Sequence, residues 1–126
     1  VMGLGSSCCV ARGTRVRTRN GERLVESLEV GDEVLCVDPV TSARVVARLS
    51  AIRTSRRECL SIDAGARVLT CTTDHPLYDP LAGVYADAGD WALGRRDTLL
   101  SVPEDDAAPC VTVKAGAGLE VTVNDV

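Results

Sequence analysis

The chain has 126 residues, enough for one domain around a single hydrophobic core and too few for two. Forty-five per cent of them are hydrophobic, yet Phe is absent and only one Trp and two Tyr occur, so the core is expected to consist mainly of Val, Leu, Ile and Ala. A net charge of −4 argues against a large basic field for nucleic acid, and no run approaches the roughly 18 apolar residues of a membrane span. "VMGLGSS" lacks the basic start of a signal peptide, and the sequence carries no readable sign of its compartment.

The first predicted strand follows two adjacent thiols, in "SSCCVARGTRVRT". "TRVRT" over 14–18 alternates, and "RNGE" supplies an Asn-Gly turn of the hairpin kind. "LVESLEVGD" predicts a short helical or irregular step before a strand at 33–37, which Asp38-Pro39 ends. Residues 43–54 read as a long β-rich run, followed by "RECLSIDA" and "ARVLTCTT" joined through Ala64-Gly65. After "DHP" come short pieces around Val84-Tyr85 and a helical turn near "GDWALG". A strand over 97–102 leads to the acidic turn "PEDDAAP", then to two strands around a Gly-rich link. Strands at about ten-residue spacing with polar turns predict an all-β domain. Arg12, Arg15, Arg17, Arg19 and Arg23, and the arginines from Arg44 to Arg57, fit a solvated sheet face better than a binding patch.

Six cysteines and one histidine raise the question of a metal or a disulfide framework. No C-x-x-C pair exists and His75 has no ligand-spaced companion, which argues against zinc and leaves no cofactor to expect. Cys36, Cys59 and Cys71 sit inside apolar runs and read as buried small hydrophobes. Cys110 opens the last segment, and Cys8 with Cys9 is left unexplained by packing. A thiol-based metal or redox module is the weakest of the functional readings.

Cys9 stands just ahead of Gly13-Thr14, the element "VESLEVGDEV" spans Val25 to Val34, and T-x-x-H-P occupies 72–76. These stretches, with "ADAGDWALGRRDTLL" after them, resemble a Hint domain, the self-processing module of inteins, bacterial intein-like domains and the C-terminal part of Hedgehog proteins. The resemblance covers about residues 8 to 102 and implies a compact, disc-like all-β fold of many short strands. It implies an upstream, extein-like segment at 1–8 and a Hint domain at 9–126 whose closing strands are missing. It also implies that Cys9 attacks the carbonyl of Cys8, converting an amide to a thioester. Thr72 would orient the scissile amide and His75 would contact its nitrogen.

Elementary chemistry supports that assignment. Thiolate is intrinsically very nucleophilic, and a sulfur one residue from its target needs no recruited substrate. An amide nitrogen must gain a proton before it leaves, and His75 is the side chain suited by type to supply it. Alone, a single histidine reads as a satisfied turn residue; the order of the motifs raises it to a candidate. On a flat strand Thr72 and His75 face opposite sides, so a bend through Thr73-Asp74 is required, with Pro76 holding His75 extended.

The departures from the family pattern are equally specific. The chain ends "VTVNDV", with Val123 and not His before Asn124, so it offers no support for C-terminal cleavage. No acidic residue is placed by motif to activate a sterol hydroxyl. The expected activity is therefore single-turnover cleavage of the Cys8–Cys9 bond by a monomer. Its partners would be its own flanking polypeptide and water or a thiol or amine nucleophile, with splicing only if the missing part is supplied. The rival reading is a catalytically silent β module with a structural or interaction role.

Overall fold

The computed structural model describes residues 9–65, 67–102 and 110–124, with side chains through 116. The expected upstream segment 1–8, with Cys8, and the acidic turn at 103–109 lie outside the described residues. The described residues fold as an all-β protein of small sheets with one five-residue α-helix, as the strand spacing predicts.

β1 (Arg15–Thr18) and β2 (Gly21–Leu24) form a hairpin in which Thr18 pairs with Gly21. The loop is therefore Arg19-Asn20, one residue earlier than the Asn-Gly pair suggests. Gly21 opens β2 with a φ of 102°, a conformation that a side chain would strain. Buried Thr18 closes the hairpin: its hydroxyl donates to the Gly21 carbonyl at 2.6 Å and accepts the Asn20 N–H at 3.2 Å. A 3-10 turn at Val25–Ser27 is the predicted irregular step, and β3 (Glu33–Val37) matches its predicted limits. With β4 (Arg44–Arg48) these strands make one sheet in the order β2-β1-β3-β4.

Two expectations fail in this sheet. The long run over 43–54 is a strand only through Arg48, because its partner runs out. The β3–β4 ladder ends where Leu49 donates to Asp32 O and accepts from Gly31 N, and Gly31, at a φ of 97°, turns the partner away. Cys36 is exposed, not buried, since it pairs with exposed Val45 on an uncovered face of the β3–β4 pair. Among the described residues valine likewise contributes nothing to the fully buried core: Val30, Val40, Val45 and Val46 are all exposed.

The core lies in the second half. β5 (Arg57–Asp63) and β6 (Val68–Thr72) pair antiparallel, and β11 (Gly116–Asn124) adds to the other side of β5. β7 (Pro76–Asp79) and β8 (Val84–Asp87) form a hairpin that runs straight into α1 (Ala88–Ala92), and β9 (Thr98–Ser101) pairs with β10 (Val111–Lys114). Leu60, Ile62, Cys71, Ala88, Trp91, Leu99 and Ala115 form one buried cluster. The single Trp is its largest member, and the indole N–H is satisfied by Thr98 O at 3.0 Å. The Gly-rich stretch expected as a link is itself strand: Gly116 to Gly118 pair with Asp63 to Ser61, and a register shift follows. Glycine suits that place, where the ladder is irregular.

Candidate active site

The T-x-x-H motif bends as required. Thr72 is the last residue of β6, and the His75 N–H returns to the Thr72 carbonyl at 3.1 Å, closing a turn through Thr73-Asp74. Pro76 then opens β7, its missing N–H costing nothing at the first strand position. The start of α1 holds the turn from the far side. Ala88 N–H donates to His75 O and Gly89 N–H to Thr73 O, each at 2.9 Å, so two unsatisfied donors of the helix start are used on the turn. Arg96 fastens this region further, with Nη1 at 2.7 Å from buried Asp79 and Nε at 3.1 Å from Asp90.

The N-terminal residues are laid along the edge of β6 opposite β5. Val10 bridges Cys71, Ala11 N–H donates to Thr70 O, and Thr72 N–H donates to Cys9 O, both bonds 2.9 Å. This register carries the Cys9 N–H to the side chain of Thr72, which accepts it at Oγ1 at 3.0 Å. The Thr72 hydroxyl in turn donates a longer bond, 3.4 Å, to Cys9 O. Thr72 is fully buried and Cys9 half-buried. The nitrogen concerned is that of the Cys8–Cys9 peptide bond. Cys9 and Thr72 are thus brought together across 63 positions of sequence, and the turn ties the His75 backbone to Thr72.

The imidazole of His75 has an unsatisfied atom. Nδ1 is buried and without a hydrogen-bond partner. Burial lowers the pKa of the ring from its usual 6.5, and the neighbouring Asp74 carboxylate partly opposes that shift. At neutral pH His75 is therefore predominantly neutral, with one nitrogen able to accept a proton.

Cys71 is the neighbour from which Cys9 must be distinguished. Burial, reinforced by Cys59, Cys9 and Asp74, pushes the Cys71 thiol up to about 12. It remains a protonated core residue, as the apolar context of "VLTCTT" predicts, and Cys59 is equally buried. Cys9 is half-buried. Among the described residues, no three His, Cys, Asp or Glu side chains come together as a bound metal requires.

Residues of the first two motifs serve the scaffold. Gly13, at a φ of 88°, donates its N–H to Glu26 Oε1 at 2.9 Å, and this bond holds the Glu26 carboxyl below its usual range. Thr14 caps the same bend through Ala11 O at 2.7 Å, while its carbonyl accepts Val25 N–H at 2.8 Å. Asp32 gathers Glu29 N–H at 2.8 Å and Arg23 Nη1 at 3.0 Å. These bonds fix the path of the segment that bears Cys9.

Two features of the site have no sequence motif behind them. Ser55 Oγ lies 3.8 Å from Cys9 Sγ, and Arg57 Nη2 lies 3.5 Å from Asp74 Oδ2. Only the antiparallel register reveals them: with Cys59 opposite Thr72, the continuation of β5 runs beside the T-x-x-H turn.

Residues 8–67 match the family model of the Hint domain. Among solved structures, the chain is similar to a bacterial intein-like domain from Clostridium thermocellum. That match has 24% identity and a TM-score of 0.58, and covers 93% of this chain and 77% of the other. The chain is also similar to the AceL NrdHF class 3 split intein, a GSH-linked splice-inactive variant, at 16% identity and a TM-score of 0.59, with the same coverage. No curated protein matches. The fold is that of these intein-type domains, and the Hint resemblance stands.

Proposed function

For a chain that resembles Hint and bacterial intein-like domains, we propose self-processing at the Cys8–Cys9 bond by an N–S acyl shift. Cys9 Sγ attacks the Cys8 carbonyl carbon through a five-membered ring. The C–N bond to Cys9 breaks, the acyl group passes to sulfur as a thioester, and the thiol proton ends on the Cys9 nitrogen. Atoms balance without a cofactor. Water, a thiol or an amine then releases residues 1–8 and whatever precedes them.

One observation carries this reading: the N–H of the bond to be broken is held by the hydroxyl of a fully buried threonine. That bond fixes the plane of the amide beside a fully buried hydroxyl, so that a proton donor has a fixed target. A neutral His75 takes the thiol proton and, as imidazolium, returns it to the departing nitrogen. The lowered pKa of the ring favours that return, because a buried imidazolium sheds its proton readily.

The test uses the chain with a longer upstream segment, incubated with dithiothreitol or hydroxylamine and followed by gel and mass. Cys9→Ala is expected to abolish release. Cys8→Ala should retain it, since alanine supplies the same carbonyl. The reverse pattern would place the nucleophile one residue earlier. A wild type inert to both nucleophiles would leave the silent β module as the better description.

A further inference from the structure

The stretch that connects β4 to β5 is exposed at Ser50 through Thr54 and again at Arg56, but Ser55 is turned inward. This inverts the usual preference. Ile52 in the same stretch is 46% exposed while a serine faces the protein. What the serine meets is the sulfur of Cys9, at 3.8 Å, within the range of a hydroxyl–sulfur hydrogen bond. Two residues on, Arg57 reaches Asp74, next to His75. The ion pair therefore links the first residue of β5 to the T-x-x-H turn, two residues from Ser55.

We propose that Ser55 is a positioning residue for the Cys9 sulfur, its hydroxyl donating to Sγ as the thiol proton departs. The contact selects one of the staggered wells open to the Cys9 side chain. A hydroxyl donor also stabilises developing negative charge on sulfur, as hydrogen bonds to a charged form do in general. The consequence for cleavage rests on the self-processing reading, whereas the effect on thiol reactivity does not. The two are therefore measured separately.

In the first measurement, made in a Cys8→Ala background, iodoacetamide alkylation of Cys9 is followed across pH and resolved by peptide mass from Cys36 and Cys110. Ser55→Ala is expected to slow alkylation of Cys9 by about three- to tenfold below neutral pH, with the deficit closing at alkaline pH. Ser55→Thr keeps the hydroxyl and should restore the wild-type profile, while exposed Cys36 reacts alike in all three proteins. In the second measurement, hydroxylamine-triggered release should slow in Ser55→Ala over the same pH range. Unchanged alkylation of Cys9 in Ser55→Ala would overturn the proposal even if the protein cleaves. Slowing that is uniform across pH, or that Ser55→Thr shares, would also overturn it by showing a purely packing effect. A serine-dependent thiol in a wild type that never cleaves would instead sink the self-processing reading and leave Ser55 assigned.

Discussion

The sheet of residues 15–48 and the half built from β5 to β11 are held together by different forces. Every buried hydrophobic residue among those described lies at Cys59 or beyond, and in the first sheet only Thr18 is buried. Yet the Hint family match, over 8–67, falls mostly on the sheet without a core. That sheet depends on Gly13, Gly21 and Gly31 at positive φ and on carboxylates placed under particular N–H groups. Such requirements admit few substitutes. A core accepts many apolar residues of similar volume, so it leaves a fainter signature. What matches the Hint model is therefore not what stabilises the fold, and the candidate site lies on the seam between the two.

The sharpest way to separate the halves is to remove the side chain that belongs to chemistry alone. His75→Ala is expected to slow thioester formation by about 10²–10⁴-fold, the usual worth of a positioned acid–base group, with little change in unfolding. As pH falls, release should decline once the ring protonates and can no longer accept the thiol proton. Because Asp74 raises the His75 pKa against burial, Asp74→Asn should move that acidic limb to lower pH. The linked stability effect has the same sign. A ring whose folded pKa lies below 6.5 is charged more easily when unfolded, so stability is lost as pH falls from about 6.5 through the folded value. An acidic limb that ignores Asp74→Asn would show that another group sets it.

Next in size is a contrast in stability. Trp91→Ala empties the largest fully buried position and should cost about 3–5 kcal/mol in denaturant unfolding. Val45→Ala, on the exposed face of β4, should stay within about 0.5 kcal/mol. Equal losses would break the comparison, because the first sheet would then hold a hydrophobic contribution that its exposure does not reveal.

Thr72→Ala comes third. It removes the acceptor for the Cys9 N–H, and one such hydrogen bond is worth about 1 kcal/mol or somewhat more, so release should slow by roughly tenfold. A loss as large as that of His75→Ala would mean that the hydroxyl takes part in proton transfer.

Much of this was legible before any coordinates. Alternation located β1, and short apolar runs bounded by turn residues located β3, β5 and β6. The T-x-x-H bend followed from strand geometry, since Thr72 and His75 cannot share a face otherwise. The failures have a common cause in tertiary pairing. Nothing local to residues 49–54 says that β3 has already ended, and nothing in "VLCVD" says that its sheet face stays uncovered. Ser55 was invisible for the same reason: its proximity to Cys9 exists only through the register of β5 on β6.

The smallest expected effect tests the scaffold half on its own terms. Glu26 is solvent-exposed, yet its carboxyl is held below the usual range chiefly by the Gly13 N–H. A depressed carboxylate contributes stability above its unfolded pKa of about 4.5 and loses it as pH falls through the lower folded value. Glu26→Gln keeps an oxygen acceptor but not the charge. Global unfolding at neutral pH should therefore barely change, while Gly13 amide exchange, measured by NMR, should quicken a few-fold, as the weaker neutral hydrogen bond implies. Acidification should erase the difference, because protonated glutamic acid and glutamine then offer the same neutral acceptor. If Gly13 is equally protected in both proteins at neutral pH, the bend ahead of β1 is held by Thr14 and Ala11 alone. The glutamate of the second motif would then need another explanation than the path of Cys9.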